Sequence, residues 1–387
     1  MRDEGAAGAA LPERASGHGS SGFARAGLAV PPGATAVPTL QPGPPLAQAG
    51  PQPGHPPRPR GPAYAALDLG TNNCRLLVAE PAPYGFRVID AFSRIVRLGE
   101  GLGTADRLTE EAIERTLEAL AVCKAKMRQR GVRRARLIAT EACRLAVNGP
   151  AFIGRVRREV GLDLEVVDRR TEAFLAVTGC AALADRRAES VIVFDIGGGS
   201  TELAWLDGLA RSPLADPTRR IRAWDSLPTG VVTLAEQHHA AEVSRAGFEG
   251  MVEQVSDLLA RFALIAAAAG SAPGFHLLGT SGTVTTVGAM HLRLPRYDRR
   301  RVDGLWLADR EVGTVIDELL QTRLEQRAAN PCIGRDRADL VLAGCAILEA
   351  IRRAFPSERL RVADRGLREG MLMNLMREDG VWRRGGR

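Results

Sequence analysis

From Ala63 the chain reads Ala-Tyr-Ala-Ala-Leu-Asp68, an apolar run closed by a carboxylate, then Leu69-Gly70-Thr71-Asn72-Asn73, then a second apolar run, Arg75-Leu-Leu-Val-Ala79. A third extended run covers Phe86 to Leu98, so the segment predicts three consecutive antiparallel strands. Thr109 then precedes Glu110 and Glu111, with Ile113, Leu117, Leu120, Cys123 and Met127 at helical spacing and Gly131 after basic residues. That pattern predicts a capped helix of about 20 residues. A strand at Ala135–Thr140, a helix near Pro150–Val160, a strand at Leu164–Val167 and a helix from Thr171 complete a βββαβα unit.

The opening pattern then recurs. Ser190-Val-Ile-Val-Phe-Asp195 is followed by Ile196-Gly197-Gly198-Gly199-Ser200-Thr201, a returning strand from Glu202, and a third extended run at Arg220–Ser226. The two aspartates are 195 − 68 = 127 residues apart. A strand ending in Asp, a glycine-containing turn and a returning strand, repeated at the spacing of one domain, predict two related α/β domains facing each other across a cleft. The boundaries read from the sequence are 61–180 for the first domain, 181–365 for the second, and 366–387 for a C-terminal helix that packs back on the first domain, with a basic tail. Residues 1–60 hold 12 prolines and 10 glycines with almost no aliphatic periodicity. They are expected to be a disordered tail, since they bury too little surface to offset the entropy of ordering. A gene start placed too early would produce the same abrupt onset at Ala63.

Composition narrows the class. The 387 residues are 45% apolar, and no stretch approaches the roughly 20 apolar residues of a membrane span, so membrane insertion and secretion are not expected. The six cysteines form no C-x-x-C pair and the histidines no i, i+4 pair, which points to free thiols in a reducing cytoplasm and away from zinc. Fifty-two basic against 45 acidic residues give +7, and all the basic residues except Lys124 and Lys126 are arginines. Spread over this length, the charge favours polyanionic ligands such as condensed phosphates without marking a specific nucleic-acid site.

The turns carry the candidate chemistry. Glycine permits positive φ and exposes backbone N–H groups, so Gly70-Thr71-Asn72-Asn73 and Gly197-Gly198-Gly199-Ser200-Thr201 are candidate phosphate nests. Asp68 and Asp195 at the strand ends could hold Mg²⁺ directly or through water. A third turn, Gly279-Thr280-Ser281-Gly282-Thr283, leads into a predicted helix at Val284–Leu292, whose N-terminal amides suit an anion. Arg75 and Arg94 are candidate phosphate-neutralising cations.

The segments DLGTNNCRLLV (68–78), VRLGEGL (96–102), ATEACRLAVN (139–148), FDIGGGSTEL (194–203), SLPTGVVTLAE (226–236), GTSGTVTT (279–286), RADLVLAGCAIL (337–348) and ADRGLREGML (363–372) resemble the exopolyphosphatase and guanosine pentaphosphate phosphohydrolase family, Ppx/GppA. The resemblance runs from Ala63 to about Met376 and fits the short, two-domain form. It implies two actin-like (ribonuclease H-like) domains and phosphoanhydride hydrolysis at their cleft with Mg²⁺ or Mn²⁺. It also implies a general base at Glu172 and a second carboxylate, Glu202, that orients metal or water. The family usually carries a glycine and further glutamates just before the base; this chain has Arg169, Arg170 and Thr171. Those cations could lower the pKa of Glu172 and weaken it, or grip a polyphosphate chain. A second basic cluster, Arg296 with Arg299, Arg300 and Arg301, reads as a solvated loop.

The expected activity is removal of terminal phosphate from inorganic polyphosphate, with conversion of guanosine pentaphosphate to tetraphosphate as the alternative. A metabolite kinase of the same superfold and a polyphosphate- or alarmone-binding regulator with weak turnover are the readings from other classes. No self-association seam is legible, and a homodimer stays open.

Overall fold

The computed structural model describes residues 61–83, 85–207 and 216–382, so the tail expected at 1–60 and the basic tail at 383–387 lie outside the described residues. The first sheet begins with β1 (Ala63–Leu69), β2 (Asn73–Ala82) and β3 (Gly85–Ile95), paired antiparallel as predicted. After α1 (Leu102–Ala105) and α2 (Glu110–Gln129), β4 (Val132–Ala139) joins β1 in parallel. Thr109 caps α2, its side chain accepting from the Ala112 N–H. Next come α3 (Glu141–Leu145), α4 (Gly149–Arg155), which continues as one wider turn over Val156–Val160, the two-residue β5 (Glu165–Val166), and α5 (Arg169–Cys180). The sheet order is β3-β2-β1-β4-β5.

The second sheet repeats this plan. β6 (Ser190–Ile196), β7 (Thr201–Asp207) and β8 (Ile221–Leu227) are antiparallel, and α6 (Val231–His238) and α7 (Arg245–Ile265) follow. β9 (His276–Thr280) pairs parallel with β6 and leads into α8 (Gly282–His291). The short α9 (Arg299–Val302), β10 (Trp306–Ala308), α10 (Asp309–Leu320), α11 (Leu324–Ala329), α12 (Val341–Ala354), β11 (Arg359–Ala363) and α13 (Leu367–Glu378) complete the chain. The order is β10-β11-β9-β6-β7-β8, so in each sheet a βββ meander is followed by a helical crossover to a strand that pairs parallel with the meander's first strand.

One helix serves both sheets. In α5, Leu175 and Ala176 pack with Tyr64, Ala66 and Leu77 of the first sheet, while Val177 and Cys180 pack with Val191, Val193 and Leu278 of the second. This accounts for a helix whose residues from Ala173 to Cys180 are nearly all buried. The C-terminal helix α13 lies alongside it and delivers Leu367, Met371, Leu372 and Met376 to the first sheet's core. Opposite faces are covered by α2 on the first sheet and by α7 and α12 on the second. All six cysteines are free and buried, and no helix among the described residues is long and apolar enough to cross a membrane. Arg299 departs from its solvated-loop reading: it donates to Glu369 Oε1 at 2.9 Å, while Arg296, Arg300 and Arg301 are exposed.

Candidate active site

The two predicted turns close in the same way. The Gly70 N–H donates to the Asn73 carbonyl and the Gly197 N–H to the Ser200 carbonyl, each at 2.9 Å. The N–H groups of Thr71, Asn72, Gly198, Gly199 and Ser200 have no protein acceptor among the described residues. These residues line one cleft of about 130 Å³, together with Asp68, Asn73, Asp195, Glu172 and Glu202. The side-chain oxygens Asn72 Oδ1 and Asn73 Oδ1 are buried without a partner. Oriented donors facing a small cavity are the physical requirement for an oxyanion.

The glycines are needed for a different reason than the sequence suggested. None of Gly70, Gly197, Gly198 or Gly199 has a positive φ. Instead, a Cβ on Gly198 would stand 2.9 Å from Thr71 Cβ, and one on Gly199 would stand 2.8 Å from Thr71 Oγ1. The second turn is glycine-rich because the first turn is pressed against it. The strained residue lies in the third turn, where Ser281 has φ 129° and caps α8 by accepting from the Val284 N–H.

Register sets the carboxylates. Asp68 stands opposite Arg75 in the β1/β2 pair, and Asp195 stands opposite Glu202 in the β6/β7 pair. Burial pushes the Asp195 carboxyl up to about 6, with the nearby Asp68 charge adding to the shift. Asp68 is also raised by burial, against the opposing pull of Arg75 and Arg368. Glu202, 3% exposed, is raised by burial even though Ser226 Oγ donates to its Oε1 at 2.9 Å.

Glu172 lies in the first turn of α5, whose N-terminus is capped by Asp168 Oδ1 accepting from the Thr171 N–H at 2.7 Å. It is 7% exposed, and burial followed by repulsion from Glu202 pushes it well above the usual carboxylate range. Of the two effects open to Arg169 and Arg170, a lowering of the Glu172 pKa is therefore not the one the structure carries. Arg169 is drawn away to Glu141, donating to Oε1 at 2.5 Å, and Arg170 stacks on the Phe174 ring at 5.0 Å. The guanidinium that does reach Glu172 is Arg144, which donates to its Oε2 at 2.8 Å and is itself held by Glu141 and the Val167 carbonyl. Burial pushes Glu141 up, but its bonds to Arg169 and Arg144 outweigh that and hold it below its ordinary value.

Sequence reasoning missed Glu141, Arg144 and Arg337. The first two lie in ATEACRLAVN, a segment used for the resemblance but without a glycine or an alternation to flag a role. Arg337 lines the cleft beside Gly282, where a Cβ would meet its Nη1 at 3.4 Å, and it makes no side-chain hydrogen bond or ion pair among the described residues. Ser281, Gly282 and Thr283 also line the cleft. Three candidates do not. Arg94 pairs in register with buried Cys74, on the β3 face opposite Ser93 and Arg75, and approaches Glu118 at 3.7 Å. Thr201 Oγ1 donates to the Thr229 carbonyl. Gly279 lies inside β9 because a Cβ there would collide with Phe194 Cζ at 2.4 Å.

The donor set suits a hard divalent cation. Asp68 and Asp195 present two carboxylates, the two orphaned asparagine oxygens belong to residues of the same lining, and no sulfur or imidazole lines the cleft. Among the described residues no three His, Cys, Asp or Glu side chains gather around one point, so such an ion would complete its shell with water.

Two sheets of the same plan, opposed phosphate-type turns and buried carboxylates of raised pKa define a phosphohydrolase scaffold. The chain belongs to the Ppx/GppA phosphatase family, whose model matches residues 77–379. It is 27% identical over 325 residues to exopolyphosphatase 2 of Mycobacterium tuberculosis, covering 80% of this chain and 98% of that protein. It is 26% identical to the guanosine-5'-triphosphate,3'-diphosphate pyrophosphatase of Photobacterium profundum, covering 82% of this chain and 60% of that protein. Among solved structures, an exopolyphosphatase-like protein superposes with a TM-score of 0.72 at 27% identity, over 82% of this chain and 98% of that one. The Ppx/GppA family member of Aquifex aeolicus gives 0.65 at 28% identity, over the same shares.

Proposed function

We propose that the protein is an exopolyphosphatase, hydrolysing the terminal phosphoanhydride bond of inorganic polyphosphate and releasing orthophosphate. The observation that carries this reading is the set of unclaimed backbone N–H groups from two opposed turns, with Glu172 in the same small cleft. The N–H groups of Thr71, Asn72, Gly198, Gly199 and Ser200 would bind the terminal phosphoryl oxygens, and Arg75 and Arg337 would add charge. Asp68 and Asp195 would hold Mg²⁺ or Mn²⁺, whose charge offsets that on the phosphoryl oxygens. Glu172, with its raised pKa, orients a water and takes its proton as the water attacks phosphorus and the bridging oxygen departs with the shortened chain. Arg144 fixes the Glu172 carboxylate in place, and Glu202, held by Ser226, positions the water shell.

Near-complete coverage of the exopolyphosphatase from M. tuberculosis supports polyphosphate as substrate. The likeness to the pyrophosphatase of P. profundum keeps guanosine pentaphosphate as the second reading. Six buried free thiols accord with a cytoplasmic location.

The test is orthophosphate release from long-chain polyphosphate and, in parallel, from guanosine pentaphosphate, in the presence of Mg²⁺ or Mn²⁺. Wild-type protein should release phosphate from polyphosphate, and Glu172→Gln should lower kcat on the order of 100-fold or more while still binding the chain. Preference for the nucleotide would transfer the assignment to the pentaphosphate, and a wild-type protein silent on both would end the hydrolase reading.

A further inference from the structure

Arg327, in the short helix α11, is the largest side chain withdrawn from solvent among the described residues, at 2% exposure. It does not line the cleft and makes no ion pair among the described residues; Glu242 and Glu325 act on it only through space. Its acceptors are instead three backbone carbonyls from three separate loops. The Nε donates to Ala338, between α11 and α12, at 3.2 Å, and Nη1 donates to Thr322, between α10 and α11, at 2.9 Å. The Nη2 donates to Ala241, between α6 and α7. None of these carbonyls accepts from a backbone N–H among the described residues. A guanidinium taken from water without acceptors is costly, and so is a buried carbonyl without a donor; one side chain resolves both. Its planar fork of donors serves several directions at once, which a lysine ammonium on a flexible stem does not.

The most buried of the three acceptors stands at a junction. Ala338, 1% exposed, lies between Arg337, which lines the cleft, and Asp339, which pairs with Arg97 at 3.1 Å. The turn around Arg337 is lightly held by backbone bonds. Its N–H donates to the Gly334 carbonyl at 3.3 Å, and its carbonyl accepts from the Leu340 N–H at 3.0 Å. The Arg337 guanidinium has no partner of its own among the described residues, so its place follows from its backbone. Two side chains grip that backbone from opposite sides: Arg97 reaches the Asp336 carbonyl at the exposed face, and Arg327 reaches Ala338 from within.

We propose that Arg327 is a positioning residue, a buried guanidinium that fixes the backbone from Arg337 to Asp339 and so aims Arg337 into the cleft without touching substrate. The proposal rests on the reading of Arg337 as a phosphate-neutralising cation, while the hold on the segment is measurable without turnover.

Two variants test it. Arg327→Lys keeps a cation and gives up the fork, and Arg327→Met removes every donor. In Arg327→Lys, hydrogen exchange at the Arg337 and Leu340 amides should quicken at least about tenfold, while that of α2 stays within about twofold. The KM for long-chain polyphosphate should rise about fivefold or more, with kcat within about twofold of wild type. Placed on Arg337→Gln, the same change should raise KM by less than about twofold, because the group it positions is already gone. Arg327→Met should show the same pattern more strongly, and if it does not fold, Arg327→Lys alone decides. Unchanged exchange at Arg337 and Leu340, or equal quickening in α2, overturns the proposal. So does a KM rise that multiplies in full with that of Arg337→Gln, which would leave Arg327 a support of the fold alone. If wild-type protein hydrolyses no polyphosphate yet exchange quickens at Arg337 and Leu340 and not in α2, the clamp stands and the hydrolase reading falls.

Discussion

At the scale of single residues, the repeat is symmetric in backbone and asymmetric in charge. Arg75 and Glu202 occupy equivalent positions, each opposite the aspartate that ends the first strand of its sheet. One half thus contributes a cation and the other an acid, which suits a substrate that must be both neutralised and attacked. The acid has a thermodynamic consequence. Glu202 is raised from 4.5 to about 7, so between these values the unfolded chain has released its proton while the folded chain keeps it. Stability is therefore lost as pH rises through that window and is not regained above it. Glu202→Gln keeps an acceptor for Ser226 and removes the charge, so it should unfold at higher temperature than wild type at pH 8. A gain on the order of 2 kcal/mol is expected, shrinking towards zero near pH 4, while activity falls sharply. Thermal unfolding of both proteins across that range checks the sign, and equal stability at pH 8 would mean that Glu202 ionises without cost. Duplication made Asp68 and Asp195 legible in the sequence, but Arg144 and Glu141 were not. Their role arises from where α3 points after β4, and no local pattern encodes that.

Elements were read well wherever burial imposes a period. The six strands of the two meanders and the long α2 follow from apolar runs and one capping threonine. The four-residue α1 and five-residue α3 carry too few positions to show a period, and tertiary packing decides them. The turn glycines were located correctly but explained wrongly, because close approach of two segments 127 residues apart leaves no trace in either one. The same hidden constraint governs the crossing of α5 and α13. A Cβ on Gly370 would lie 2.1 Å from the Leu175 carbonyl oxygen, and one on Gly179 would lie 2.0 Å from that of Gly366. Helix propensity alone favours alanine over glycine by about 1 kcal/mol, whereas forcing packed backbones apart costs about 1–3 kcal/mol or more. Gly370→Ala should therefore destabilise, by about 2 kcal/mol in a urea titration. Gly250→Ala in α7, where a Cβ meets nothing within 4 Å, should be neutral to stabilising by up to about 1 kcal/mol. A Gly370→Ala protein as stable as wild type would show that the two helices are not in backbone contact.

Across the whole molecule, the halves are joined both at a buried floor and at the mouth of the cleft. The floor is α5, whose apolar face belongs to both sheets, with α13 beside it on the first sheet's core. At the mouth, Arg97 pairs with Asp339 at 3.1 Å and donates to the Asp336 carbonyl, while the Gly101 N–H donates to Glu236 Oε1 at 3.0 Å. The mouth contacts are partly exposed, so they add at most about 1 kcal/mol to stability, far less than the floor. Their position gives them another use. The Asn72 carbonyl accepts from the N–H groups of Val96 and Arg97, so the strap that crosses the mouth also carries the first phosphate-type turn. Arg97 itself holds a positive φ of 47°, a conformation that persists only where its surroundings enforce it. Breaking the strap should therefore loosen the turn before it touches the chemistry. Asp339→Asn combined with Glu236→Gln is expected to raise KM for polyphosphate several-fold, leave kcat within about twofold and shift the unfolding temperature by no more than about 2–4 °C. Equal loss in kcat and kcat/KM would instead place the strap in the transition state, and an unchanged KM would show that the floor alone sets the spacing of the two turns.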